Sequence, residues 1–127
     1  MQNLQIDFCK RVAATKKFKI QDNAILSAIE FVHANLNKKL DVSMVAHAVE
    51  LSRSHLSRHF KQELGFSLNH FIRRCKLEEG KFLLLYTDKP ISHISEYLCF
   101  SSQSYFQTLF KQQFGMTPLE YRQTQKK

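Results

Sequence analysis

The chain has 127 residues, of which 43% are apolar and eleven are Phe, enough hydrophobic material for one packed domain or two small subdomains, so a packed rather than a disordered chain is expected. No apolar run approaches the roughly 18 residues of a membrane span, and the charges in MQNLQIDFCKRV interrupt what would have to be the apolar centre of a signal peptide. A cytoplasmic protein with no membrane attachment is therefore expected, and its net charge of +8 favours a polyanionic partner.

Only three Gly and two Pro interrupt the chain, and no segment alternates apolar with polar residues, which predicts an all-α protein. Residues 3 to 16 predict an N-terminal helix with Leu4, Phe8, Cys9, Val12 and Ala13 on one side. Asp22 can cap a helix to about Leu36 whose stripe is Ile25, Ile29, Val32 and Leu36. Asp41 can cap the short helix VSMVAHAV, and Ser52 a second one, RSHLSRHFKQEL, which Gly65 stops with a positive φ. Two short helices around a tight turn form the helix-turn-helix pattern. Ser67 starts a long helix to about Tyr86, and Asp88 and Pro90 open a second round. There ISHISEYL is a short helix, Ser101 or Ser102 caps YFQTLFKQQF, Gly115 stops it, and Thr117 with Pro118 begins a last helix through Arg122. Cys9, Cys75 and Cys99 are odd in number and lack ligand spacing, so they read as reduced, mostly buried thiols and neither a disulfide set nor a metal site.

The second round repeats the first. FKQELGFSLNHF, residues 60 to 71, returns as FKQQFGMTPLEY, residues 110 to 121. Val42, Val45 and Ala46 match Ile91, Ile94 and Ser95; Leu51 matches Phe100, and Leu56 matches Phe106; between these last two pairs the second copy has one extra residue. A matched series with caps and stops in register means two helix-turn-helix units. The expected organisation is an N-terminal linker helix over 1–20, a first helix-turn-helix subdomain over 21–67, a connecting helix over 68–86 and a second subdomain over 87–127.

Sorting the repeated helices by direction, at about 100° per residue, separates two faces. Tyr105, Phe106, Leu109 and Phe110 are expected inward, with Gln103, Ser104, Gln107, Thr108 and Lys111 outward. In the first copy Leu56 and Phe60 point inward, His55 and His59 flank them, and Arg53, Ser54, Ser57, Arg58 and Lys61 point outward. Neither outward face carries a carboxylate, whereas an ordinary solvated helix mixes Glu with Lys. Arg, Lys, Gln, Ser and Thr together suit double-stranded DNA, where Arg reaches guanine, Gln reaches adenine and Lys neutralises phosphates. Two other readings compete: a merely polar surface, or a basic helical adaptor for an acidic protein. His55 and His59 read as flank packing or phosphate contacts. No glycine-rich phosphate loop, metal spacing or activated nucleophile is present, so neither enzyme activity nor a cofactor or metal is expected.

From about Asp22 to Arg122 the sequence resembles the DNA-binding domain of the AraC/XylS family of bacterial transcription regulators. LSRSHLSRHFKQELGFSLNHFIRRCKL carries the resemblance in the first unit, and ISEYLCFSSQSYFQTLFKQQFGMTPLEYR, which follows the family signature F-K-x-x-x-G-x-T-P-x-x-Y-R, in the second. The resemblance implies two subdomains joined by a long helix, with both recognition helices in successive major-groove segments on one side of the DNA. Its base-reading positions fall on Arg53, Ser54, Ser57 and Arg58 and on Gln103, Ser104, Gln107 and Thr108. Lys61, Lys111, Arg73, Arg74 and Arg122 are the candidate phosphate contacts. Three positions depart from the pattern: Cys99 stands for a turn glycine, Ser95 for a small alanine, and Gly80 for an alanine of the long helix, at a cost of about 1 kcal/mol in helix stability. The resemblance also implies an activator that works with RNA polymerase. The linker-like LQIDFCKRV raises a choice between the C-terminal part of a longer, ligand-responsive regulator, dimerised through an N-terminal domain, and a complete small regulator. For the DNA-binding part itself, one monomer per site is expected.

Overall fold

The computed structural model describes residues 23–125, and among these every regular element is an α-helix. The expected helix over residues 3–16, Cys9 and the Asp22 cap lie outside the described residues. In chain order the helices are α1 (Asn23–Ala34), α2 (Val42–Ala48), α3 (Arg53–Leu64), α4 (Leu68–Tyr86), α5 (Ile91–Tyr97), α6 (Gln103–Phe114) and α7 (Pro118–Gln125).

Local chemistry places the helix ends. Asp41, Ser52, Ser67 and Ser102 each accept a hydrogen bond from the backbone N–H three residues on, at Met44, His55, His70 and Tyr105. Of the two serines before α6, Ser102 is thus the cap, and Ser101 is the extra residue of the second turn. Gly65 and Gly115 adopt left-handed φ values of 85° and 83°, and donate their N–H groups to Lys61 O and Lys111 O at 2.8 Å. Helix α5 has no side-chain cap, because Pro90 stands where α2 has Asp41. Before α7, Thr117 and Glu120 form a reciprocal capping box: Glu120 Oε1 accepts from Thr117 N–H at 2.9 Å, and Thr117 Oγ1 accepts from Glu120 N–H at 3.1 Å. Hydrogen bonding from Thr117 to the Glu120 carboxylate, from the backbone N–H foremost and then from the hydroxyl, holds that carboxyl below its ordinary pKa. So anchored, α7 continues past Arg122 to Gln125.

The repeated apolar positions build equivalent cores. Leu56 and Phe60 of α3 and Phe106 and Phe110 of α6 are fully buried, as are Val45 of α2 and Ile94 of α5. The Phe60 ring packs on Phe71 at 5.5 Å between centroids, and in the second copy Phe110 packs on Tyr121 at 5.9 Å. Helix α4 runs between the two units and packs on α3 on one side and on α5, α6 and α7 on the other.

The three departures have separate explanations. A Cβ on Gly80 would lie 3.0 Å from the buried Phe106 ring and 3.3 Å from Leu98, so the glycine lets α4 and the second unit approach closely there, and its helix cost is offset by that packing. Ser95 is buried but donates its hydroxyl to Ser92 O at 2.9 Å, leaving no unsatisfied group. Cys99 takes φ 60°, and Glu50 at the equivalent point of the first turn takes φ 61°, so both turns place a non-glycine in the left-handed region. Contrary to the expected burial of the thiols, Cys99 is exposed, with Sγ 3.4 Å from Asn37 O, because its turn lies at the surface; Cys75 lies in the core.

Candidate nucleic-acid interface

Burial of Leu56, Phe60 and Leu64 fixes the rotation of α3 about its axis. Arg53, Ser54, Ser57, Arg58 and Lys61 are in consequence all exposed on one side of it. Phe106 and Phe110 do the same for α6, leaving Gln103, Ser104, Thr108 and Lys111 exposed and Gln107 half-buried. With the caps Ser52 and Ser102 in register, Arg53 corresponds to Gln103, Ser54 to Ser104, Ser57 to Gln107, Arg58 to Thr108 and Lys61 to Lys111.

Tyr105 differs from expectation. It is 43% exposed, not inward, because the neighbouring Phe106 takes the core position; its ring instead meets the edge of Phe100 at 6.3 Å. With Leu40, Asn69, Arg73, Lys76 and Phe100 it lines a cleft of about 300 Å³ formed by α4, the second unit and Leu40 of the first.

The electrostatics of the two faces are one-signed. Helix α6 contains no acid, and the only acid of α3, Glu63, sits half-buried in its last turn. Neither helix has an acid in its first turn to neutralise the positive end of its dipole. Among the described residues Arg53, Arg58, Lys61 and Lys111 form no ion pair, so their cations are available to an external anion. A guanidinium fork matches the two acceptors of guanine, a Gln amide matches adenine, and the serines let a helix approach a groove floor closely. His55 and His59 meet edge to face at 5.7 Å beside this surface.

The candidates outside the two faces divide. Arg73 is exposed on α4 beside the cleft. Arg74 is paired with Glu78, its Nε and Nη2 both 3.1 Å from Oε2, an i, i+4 pair that Lys81 extends at 3.9 Å. Arg122 is engaged within the fold: its Nε donates to Leu84 O at 3.0 Å and its Nη2 to Thr87 O at 3.1 Å. The guanidinium therefore caps the C-terminal end of α4 and ties α7 to it, where a cation satisfies carbonyls left over by the helix.

One functional candidate escaped the sequence reading. Lys76, on the long helix, is 6% exposed, and its ammonium donates to Leu36 O at 2.9 Å, Lys38 O at 2.8 Å and Leu98 O at 2.6 Å. Burial lowers its pKa, an effect opposed by the nearby Cys99 thiol. The signal available in the sequence was a single Lys inside the apolar stripe Phe71, Ile72, Cys75.

Comparison with known proteins decides the family. A family model described as a helix-turn-helix domain matches residues 45–124. This chain belongs to the AraC-type helix-turn-helix family. The domain is 35% identical over 103 residues to the xylose operon regulatory protein of Escherichia coli K12, a match covering 81% of this chain and 26% of that protein. The chain thus spans about a quarter of the length of that curated relative. Among solved structures it resembles the C-terminal domain of AraT, a response regulator from Geobacillus stearothermophilus, with a TM-score of 0.78 and 33% identity, covering 83% of this chain and 88% of that one. It shares its fold with the DNA-binding domain of AdpA, solved in complex with a target DNA, at a TM-score of 0.74 and 20% identity over 79% of this chain and 90% of that one. The AraC-type domain described here is a DNA-binding part of a transcription regulator, with α2–α3 and α5–α6 as its two helix-turn-helix units.

Proposed function

We propose that this domain recognises a specific duplex DNA sequence by placing α3 and α6 in two successive major-groove segments on one side of the helix. The observation that carries this reading is the pair of exposed, carboxylate-free faces that the repeat presents on matched helices. Arg53, Ser54, Ser57 and Arg58 read bases under α3, and Gln103, Ser104, Gln107 and Thr108 read bases under α6. Lys61, Lys111 and Arg73 contact phosphates; Arg74 and Arg122 are left out, because Glu78 and the carbonyls of Leu84 and Thr87 hold them. The AdpA domain, bound to its target DNA, supplies the precedent for duplex DNA as the partner of this fold. Family membership further suggests an activator that acts with RNA polymerase in the bacterial cytoplasm.

The two faces differ chemically and belong to one chain, so no two-fold axis relates them and no palindrome is required. One copy of the domain occupies an asymmetric site of about 16 to 20 base pairs, its two halves about 34 Å apart, with guanine contacts concentrated under α3. Selection from random DNA followed by measurement of the mass of the complex tests this reading. An asymmetric consensus bound one-to-one is expected, and a palindrome bound only by a dimer would overturn it. The affinity should also fall by about 10³ to 10⁵ between 50 and 200 mM salt if six to ten phosphates are neutralised. A salt-insensitive complex, or preference for an acidic protein, would favour the adaptor reading.

A further inference from the structure

The two helix-turn-helix units have little contact with one another: each packs on α4, and no first-unit helix packs extensively on a second-unit helix. A single long helix leaves the relative twist of its two cargoes to whatever bonds cross between them. The crossing bonds converge on Lys76. Its Nζ holds Leu36 O and Lys38 O, in the turn that follows α1 of the first unit, and Leu98 O, the C-cap residue of α5 in the second. Next to Leu98, Cys99 Sγ reaches Asn37 O at 3.4 Å, so the same turns meet twice.

An ammonium has three N–H donors, and here three carbonyls take all of them. These carbonyls lie at or just beyond the C-terminal ends of two helices, one from each unit, where leftover acceptors and negative dipole ends favour a cation. The bonds are short and the residue is buried, so water cannot replace them at little cost. A salt bridge would have neutralised the charge locally; bonds to main-chain carbonyls instead fix backbone to backbone, and α3 and α6 follow their own units as rigid bodies. Arg122, the comparable clamp on α4, ties α4 only to α7, within the second unit, and so sets no angle between units.

We propose that Lys76 is a positioning residue for DNA recognition: by bonding the two units to one ammonium, it sets the separation and rotational phase at which α3 and α6 meet the duplex. This rests on the reading that both helices enter the groove. Inserting one base pair between half-sites moves one of them by about 3.4 Å and about 35°, so a rigid protein loses contacts in one half. A protein freed at Lys76 can follow the displaced half-site.

Selection from random DNA with the full chain provides the two half-sites, and duplexes with two base pairs deleted to two inserted between them are then titrated against the parent, Lys76→Met and Lys76→Arg. The parent is expected to lose at least about tenfold in affinity for each base pair of displacement. Lys76→Met is expected to bind the optimal spacing several-fold less tightly while its spread across spacings shrinks to within about threefold; Lys76→Arg, which keeps the charge and the donors, restores the narrow preference. A purely structural role would lower affinity at every spacing alike, so a folded Lys76→Met with the parent's spacing profile overturns the proposal. Lys76→Gln, which lacks the charge, carries the same comparison if the methionine variant does not fold. A parent indifferent to spacing would instead overturn the two-groove reading and leave no phase for Lys76 to set.

Discussion

The two helix-turn-helix units share a backbone and differ in what they display. The turns leave α2 and α5 through the same bonds, Leu51 N–H to Ala46 O at 2.9 Å and Phe100 N–H to Ser95 O at 3.0 Å, and pass through left-handed residues of nearly equal φ. The recognition helices end on glycines whose φ values differ by 2°, from 85° to 83°. On that common frame the first unit exposes two arginines and a lysine, and the second exposes amides, hydroxyls and one lysine. Duplication preserved what local geometry demands of caps, stops and inward aromatics, and left free the outward positions, on which the fold places no constraint. On the proposed reading, affinity through charge falls mainly to α3, and α6 contributes base contacts with less long-range attraction.

The largest effects should test whether the cores are as alike as the backbones. Phe60→Ala and Phe110→Ala each remove a fully buried ring at equivalent positions, and each is expected to cost about 3 to 5 kcal/mol in a denaturant titration. A loss several-fold larger for one than for the other would show that the two units do not bear on stability equally.

Next in size are the faces. Arg58→Ala is expected to weaken the preferred site by about 1 to 3 kcal/mol and to relax preference at one or two base pairs, whereas Thr108→Ala, at the matching position, should do less. Lys61→Ala should weaken all sequences alike and lower the salt slope by about one. Competition assays on the selected site and on variants of it would separate these; equal losses from Arg58→Ala and Thr108→Ala would remove the asymmetry argued above.

Gly80 sharpens the comparison from the side of α4, which it joins to the second unit only. Gly80→Ala should gain about 1 kcal/mol of helix propensity and lose more by pressing on the Phe106 ring, for a net loss of about 1 to 2 kcal/mol. A rise in melting temperature would mean that Phe106 moves aside readily.

The smallest effect concerns the turns themselves. Glu50→Gly and Cys99→Gly relieve a left-handed non-glycine and should each stabilise by about 0.5 to 1 kcal/mol, the second less because it loses the Asn37 contact. Thermal midpoints of the pair measure that difference directly, and destabilisation by both would show that these side chains contribute more than their backbone strain costs.

Much of this was legible along the chain because it is written over short distances. A cap acts on the N–H three residues on, a glycine stops the helix it ends, and the 3.6-residue period sorts inward Phe60 and Phe110 from outward Arg58 and Thr108. The repeat added a check, since each copy predicted the ends of the other. Tertiary structure alone decided the roles of residues whose partners are far away in sequence. Arg122 has the composition of a phosphate contact, but the end of α4 lies beside it and takes its guanidinium. Gly80 resembles a weak point of a helix until the Phe106 ring is placed over it. Tyr105 passes for a core residue until Phe106 occupies the core and leaves it at the edge of a cleft. Lys76 reads as one basic residue among nineteen Lys and Arg, yet packing buries it where the ends of two units converge. The physical reason is common to all four: a helix's ends and faces follow from residues within a turn or so of one another, whereas the partner of a guanidinium, a ring or an ammonium across the fold is chosen by which backbones the core brings together.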